Sequence, residues 1–187
     1  MELEEYVKQN LPNALNSIIQ SERVHELPNL TIYEKAIIFA YTDARSNQHQ
    51  ALNERLWASQ GTDISEFGLF LEATLDKLEP YSDMVFRGVQ EDYCDVGKYI
   101  RAFDNKTIVT EYAFSSASLL QGVAQGFGRI LFRIYSKNGK IIEKVSKFER
   151  EKEVLFKRNT SFKVVKLTNN GFSTVITLKE IRNGINA

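Results

Sequence analysis

Sulfur and histidine are scarce in this chain of 187 residues, which carries one cysteine, Cys94, and two histidines, His25 and His49. A single thiol excludes an intramolecular disulfide and a multi-cysteine metal site. Cys94 has no histidine nearby in the sequence to activate it and reads as a packed or surface thiol. Both histidines lie in the N-terminal half, so no Ser-His-Asp arrangement is visible, and no cluster of ligands calls for a metal. Long apolar runs are also missing. Nothing approaches the roughly 18 apolar residues of a membrane span. The opening Met-Glu-Leu-Glu-Glu is acidic, unlike the basic-then-apolar pattern of a signal peptide. The expectation is therefore a protein secreted or delivered without a standard signal, or a segment of a longer chain.

Net charge is absent too, with 24 acidic and 24 basic side chains, but the halves differ. Residues 1–100 hold 17 acidic and 8 basic groups and residues 101–187 hold 7 and 16, giving −9 and +9. The basic excess crowds around Lys137, Lys140, Lys144, Lys147, Arg150, Lys152, Lys157 and Arg158. Such asymmetry fits an anionic or acidic-surfaced partner, and equally two halves that attract one another. A nucleic-acid partner is less favoured, because the total is neutral and no basic surface is interleaved with aromatics.

What is present suits an ordinary globular protein: 43% hydrophobic and 26% charged residues. The length predicts one domain over 1–187, with a helical lead over 1–80 and a strand-rich part over 81–187. Apolar residues recur at helical spacing through Leu3, Tyr6, Val7, Leu11, Leu15, Ile18 and Ile19, with Pro12 near a helix start. Thr31 and Glu34 form a capping-box pattern ahead of Ala36–Tyr41. Amphipathic helices follow over Gln48–Trp57 and Ser65–Leu78, the second stopped by Pro80. Strands are predicted at Met84–Val89, Thr107–Phe114, Arg129–Tyr135, Glu153–Phe156, Ser161–Leu167 and Phe172–Leu178. A short helix is predicted at Leu119–Gln125 and a turn at Asn138-Gly139. Helices first and strands after argue α+β.

Three stretches carry candidate chemistry. Glu151 and Glu153 stand two apart in Phe148–Phe156; on an extended chain they share a face, a costly pairing unless something uses it. A solvated charged surface is the plain alternative. Arg87 interrupts the apolar Val-Phe-Arg-Gly-Val, where a planar bidentate donor fits a carboxylate or phosphate, or an internal ion pair. Gly88 would let a ligand approach the backbone closely. Ser115, Ser116 and Ser118 offer hydroxyls that either cap the next helix or hold a carboxylate in place.

In that order, an Arg-Gly on a strand, Phe114-Ser115-Ser116-Ala117-Ser118 and Phe148-x-x-Glu151-x-Glu153 resemble the Arg–Ser–Glu class of mono-ADP-ribosyltransferases, which includes the catalytic parts of clostridial binary toxins. The likeness extends over residues 30–180, through Tyr41-Thr42, Leu52-Asn53, Gly139–Ser146 and Ser161–Val164. It departs at Ala117, where the family usually has a hydroxyl.

The resemblance implies a helical part packed on two small, roughly perpendicular β-sheets that form an NAD-binding cleft. It implies cleavage of the nicotinamide–ribose bond of NAD, the co-substrate, and transfer of ADP-ribose to an acceptor, with no metal. Glu153 would stabilise the oxocarbenium-like transition state, Ser116 would orient it, and Arg87 would anchor the NAD diphosphate or ribose side. The Gly88 backbone would hold the nicotinamide amide, Phe127 would pack on the nicotinamide, and Arg129 would be a second phosphate contact. Glu151 in the family goes with arginine acceptors, so an arginine of a target protein is implied, and Phe148 resembles the exposed aromatic that touches the target. A toxin or effector acting in a cell's cytoplasm follows. NAD glycohydrolase activity, or ADP-ribosylation of nucleic acid, is the alternative.

Overall fold

Helix α3 (Ile32–Thr42) buries every residue from Glu34 to Tyr41, as a helix apolar on nearly all sides must. Its start is fixed by the sequence: Thr31 Oγ1 accepts from the Glu34 N–H at 3.2 Å and the Glu34 carboxylate accepts from the Thr31 N–H at 2.8 Å. Two charges inside this helix are compensated. Glu34 pairs with Lys77 at 2.6 Å and Lys35 donates to the Val24 carbonyl at 2.8 Å. Around α3 are α1 (Leu3–Asn10), α2 (Pro12–Ile19, with proline at its start), α4 (Gln48–Ala58) and α5 (Glu66–Asp76).

The chain, described here by a computed structural model over residues 1–169, 171 and 173–181, divides into two units. The helical unit holds Met1–Glu79 together with Ile142–Arg150, and the second holds Pro80–Ile141 and the chain from Glu151 onward. Membership of 142–150 in the helical unit has no counterpart in the sequence pattern.

The second unit is built on strands β1 (Pro80–Tyr81), β2 (Met84–Val89), β3 (Ile108–Glu111), β4 (Ser115–Ser118), β5 (Ile130–Tyr135), β6 (Gly139–Ile141), β7 (Glu153–Phe156), β8 (Thr160–Asn169) and β9 (Thr174–Ile181). Their order is β1-β6-β7-β4-β2-β5-β9-β8-β3, with β5 and β9 parallel and the other pairs antiparallel. The α+β class is as expected, but the two separate sheets are not. A single residue pair, Phe86↔Ser118, joins β1-β6-β7-β4 to β2-β5-β9-β8-β3 in one run of strands. The core of this unit gathers Val85, Tyr99, Val109, Ala117, Phe132, Val154, Phe156, Phe162, Ile176 and Leu178.

Several expectations shift. The apolar run of β2 reads as a buried strand, but it is buried only at Val85 and half-buried elsewhere. The strand expected over Thr107–Phe114 is confined to Ile108–Glu111, and Ser115–Ser118 is a strand of its own. The expected start of the last strand at Phe172 lies outside the described residues. Helix α6 (Val96–Asn105) was not anticipated; Asp95 caps it by accepting from the Lys98 N–H at 3.1 Å. Helix α7 is short, Gln121–Gln125. The Asn138-Gly139 turn is held by the buried Glu180 carboxylate, which accepts from the N–H groups of Lys137 at 2.6 Å and Asn138 at 2.9 Å.

Candidate active site

Strands β4 and β7 lie side by side with Ser116 opposite Leu155 and Ser118 opposite Glu153. Side chains alternate across a strand, so Ser116, Ser118 and Glu153 share one face and Ala117 takes the other. Ala117 lies opposite Val154, and both are in the core. The missing middle hydroxyl therefore takes nothing from the polar face; a hydroxyl there would enter apolar packing.

The two serines divide their work. Ser116 Oγ donates to Glu153 Oε1 at 2.6 Å, fixing the carboxylate's orientation. Ser118 Oγ donates to the Glu151 carbonyl at 2.6 Å and accepts from the Leu120 N–H at 3.0 Å. Ser118 thus tethers the glutamate segment through its main chain and satisfies the Leu120 N–H just ahead of α7, whose start has no side-chain cap; of the two readings of the serine run, Ser116 meets the one in which a hydroxyl holds a carboxylate. Arg87, half-buried on β2, donates from Nη1 to the Ser116 carbonyl at 2.6 Å. Arg87, Ser116 and Glu153 accordingly form a continuous chain of polar contacts across three adjacent strands.

Glu153 is 7% exposed. Burial pushes its carboxyl up to about 7; the Ser116 hydrogen bond and the Arg87 charge oppose the rise, and the Glu151 charge adds to it. Glu151 is less deeply set, and burial raises its carboxyl as well. The two carboxylates do not share a strand face, as the alternation argument required. Glu151 closes a 3₁₀ turn, Glu149–Glu151, and Lys152 turns the chain with φ of +50° before β7 begins. They remain within electrostatic reach of each other and are no freely solvated charge run.

Gly88 is pressed from an unexpected side. A Cβ there would sit 1.7 Å from the Ala124 carbonyl oxygen and 3.3 Å from Phe127 Cβ, so the close approach is made by the α7 segment. Gly128 repeats this, since a Cβ would lie 2.2 Å from the Val89 carbonyl. Two glycines thereby let residues 121–129 settle directly on β2. That packing leaves Phe127 half-exposed at 50%, and Arg129 is exposed at the entry to β5. Neither Phe127 nor Phe148 is a core side chain; Phe148, in the helical unit, is 46% exposed.

A second polar group, missed in the sequence, lies beside Arg87. Tyr99 of α6 packs on Phe132 with ring centroids 5.0 Å apart, and Phe132 is the β5 partner of Arg87. The Tyr99 hydroxyl donates to Glu111 at 2.6 Å, and Lys98 pairs with the same carboxylate at 2.9 Å. Burial first, then Glu111, holds the Tyr99 hydroxyl protonated. Cys94 is half-buried, and burial pushes its thiol up to about 11, which leaves it inert as a nucleophile.

The basic crowd is partly spent internally: Lys140 is buried, Lys144 pairs with Glu149 at 2.8 Å, and Lys147 faces Asp43 at 3.7 Å. Among the described residues, no group of three or more His, Cys, Asp or Glu is arranged to hold a metal, and no helix is long and apolar enough to cross a membrane.

A family profile described as NAD:arginine ADP-ribosyltransferase matches residues 11–185. Vis of Vibrio splendidus (strain 12B01), provisionally named an NAD(+)–arginine ADP-ribosyltransferase, is 24% identical over 145 residues, covering 71% of this chain and 57% of Vis. Mav of Mycobacterium avium (strain 104), named in the same provisional way, is 37% identical over 101 residues, covering 52% of this chain and 12% of Mav. The chain therefore spans little more than half of one curated relative and about an eighth of the other. Among solved structures, the ADP-ribosyltransferase HopU1 of Pseudomonas syringae pv. Tomato DC3000 superposes with a TM-score of 0.79 at 19% identity, covering 91% of this chain and 87% of HopU1. Vis in complex with agmatine superposes at 0.63 and 22% identity, covering 96% and 86%. At these identities the structures share the fold.

Proposed function

This chain belongs to the NAD:arginine ADP-ribosyltransferase family, and on that premise we propose that it cleaves the nicotinamide–ribose bond of NAD and transfers ADP-ribose to the guanidinium of an arginine in a target protein. The observation that carries the reading is the line from Arg87 through Ser116 to the buried Glu153, with Glu151 two residues earlier on a separate turn.

In this reading the bond between the ribose C1′ and the nicotinamide nitrogen breaks first, and its electron pair leaves with neutral nicotinamide. Positive charge then develops on the ribose, as in glycoside cleavage. Ionised Glu153, held by Ser116, stabilises that charge and accepts from the ribose 2′-hydroxyl. A carboxylate in a largely dry setting is worth more here than in water, because the protein need not reorganise around the new charge. Arg87 supplies a fixed donor for the diphosphate or ribose side, Arg129 a second for the phosphates, the Gly88 backbone a partner for the nicotinamide amide, and Phe127 a flat exposed face for the nicotinamide.

An arginine side chain stays protonated and is a poor nucleophile unaided. Glu151 positions the guanidinium and takes its proton as the nitrogen bonds to C1′. The agmatine complex of Vis supports a guanidine acceptor, since agmatine carries that group. Phe148, exposed three residues before Glu151, would touch the target surface. Action as a toxin or effector within a target cell's cytoplasm is part of the same proposal.

The test is incubation with labelled NAD and a cell lysate, followed by identification of the modified peptide. ADP-ribose on arginine is the expected result. Nicotinamide release with no labelled acceptor would make the protein an NAD glycohydrolase, and label confined to nucleic acid would overturn the protein acceptor.

A further inference from the structure

Within the second unit, the strands from β5 to β3 are sorted by charge. Their inner face packs on α6, where Tyr99 meets Phe132. On the face turned the other way, one row crosses four neighbouring strands: Tyr135 on β5 is registered with Lys179 on β9, Lys179 with Lys163 on β8, and Lys163 with Ile108 on β3. All four side chains are exposed, Tyr135 by 49% and Ile108 by 57%. Strands lie about 4.8 Å apart, so the row is about 14 Å long, with two ammonium groups at its centre and an apolar group at each end. Two further cations join it. Arg133, two residues before Tyr135, is exposed on the same face. On β8 the register shifts between Val164 and Lys166, so that Lys166 pairs with Thr177 and returns to the face of Lys163. In a regular strand, residues three apart would point opposite ways. The two acids of these strands are turned inward: Glu180 is buried and holds the 137–138 turn, and Glu111 is bonded to Tyr99 and Lys98.

This arrangement is costly by itself. Lys163 directly opposite Lys179 is a repulsive cross-strand pair, and the bulge adds a third ammonium to the same face. Among the described residues, no ion pair engages Lys163, Lys166 or Lys179. We propose that this face is the docking surface for an acidic protein partner. Its carboxylates would offset the clustered cations, and its apolar side chains would cover Tyr135 and Ile108. The two ends of the row favour a polypeptide over a nucleic acid. A polyphosphate strand is tracked by cations together with several stacking aromatics, whereas this row has one aromatic and an isoleucine that only apolar contact rewards. The inference stands apart from the NAD chemistry, since none of these residues is assigned a contact with NAD or with the reacting guanidine.

The experiment titrates the full chain against a fluorescent synthetic peptide in which glutamates are interspersed with leucine and tyrosine. A uridine oligonucleotide of equal charge and vesicles of phosphatidylcholine with phosphatidylserine are titrated beside it. The peptide should bind more tightly than either, and its binding should weaken as salt rises. Lys163→Glu sets opposite charges face to face across β8 and β9, so the variant should melt no lower than wild type. Its Kd for the peptide should nevertheless rise about tenfold, while Lys163→Arg should stay within about threefold of wild type. Ile108→Ser should weaken peptide binding with the salt dependence unchanged. Tighter binding of the oligonucleotide or the vesicles would overturn the proposal, as would no peptide binding or a Kd that Lys163→Glu leaves unchanged. A dimer in solution that Lys163→Glu dissociates would make a second copy the occupant and overturn it equally.

Discussion

The Ser116 hydroxyl and the Glu153 carboxylate meet at 2.6 Å across adjacent strands, although the direct partner of Ser116 in the ladder is Leu155. The contact is diagonal, spanning one step of two residues along the same face. Because the carboxylate is buried, this bond is among the few forces keeping Glu153 ionisable near neutrality.

Replacement of Ser116 by alanine should therefore act twice. Loss of a hydrogen bond to a charged group costs about 1.5–3 kcal/mol, so kcat should fall roughly 10–100-fold. The bond lowers the Glu153 carboxyl, so its removal should also move the acid limb of the pH–rate profile upward. In the wild type that limb should lie near the Glu153 value of about 7, with activity rising as the carboxyl ionises. Profiles of kcat/KM for NAD in the two proteins check both points.

The same carboxylate should weaken the fold. Its value of about 7 in the folded chain exceeds the ordinary 4.5, so between those two pH values the native state holds a proton that the unfolded chain releases. Stability from this group then declines as pH rises through that window, by about 3 kcal/mol in all. Glu153→Gln removes the ionisation. It should melt at a higher temperature than wild type at pH 8, with the difference shrinking as pH approaches 4.5, as thermal unfolding across pH would show.

Glu151→Gln should separate the two halves of the reaction. Transfer to agmatine should drop by roughly 10²–10⁴, the usual worth of a general base, while nicotinamide release persists. Steady-state rates of both products test this; equal loss of both would place Glu151 in the NAD chemistry instead.

Gly88→Ala addresses the packing of the site. The new methyl would meet the Ala124 carbonyl 1.7 Å away, and a backbone group cannot simply swing aside. The α7 segment must lift from β2, with a loss of stability of roughly 1–3 kcal/mol. Denaturant titration should show a lower midpoint with little change in slope.

Much of this was legible in the sequence because each signal was local. The capping box at Thr31 and Glu34, the proline at the head of α2 and the apolar runs at β2 and β5 need no tertiary information. Arg87, Ser116 and Glu153 were joined into one site by the family resemblance alone, since nothing local reports that their strands are neighbours. Other features depend on geometry that periodicity does not carry. Strands β1 and β6, two and three residues long, are too short for alternation to show. The turn that takes Glu151 off the strand depends on a left-handed lysine, a conformation that residue type rarely announces. Ala117 read as a defect in a serine motif until its burial opposite Val154 was known. Helix α6 did have a signal, Asp95 as cap and apolar Val96, Tyr99 and Phe103 at helical spacing, and with it the Tyr99–Glu111 pair could have been found.

The central claim is that Glu153 carries the NAD chemistry for transfer to a guanidine. The most direct measurement follows labelled NAD with agmatine in wild type and Glu153→Gln, scoring nicotinamide and ADP-ribosyl-agmatine together. The account predicts both products from wild type, and loss of both by about 10²–10³ or more in a variant that remains folded. Undiminished nicotinamide release by Glu153→Gln would contradict it.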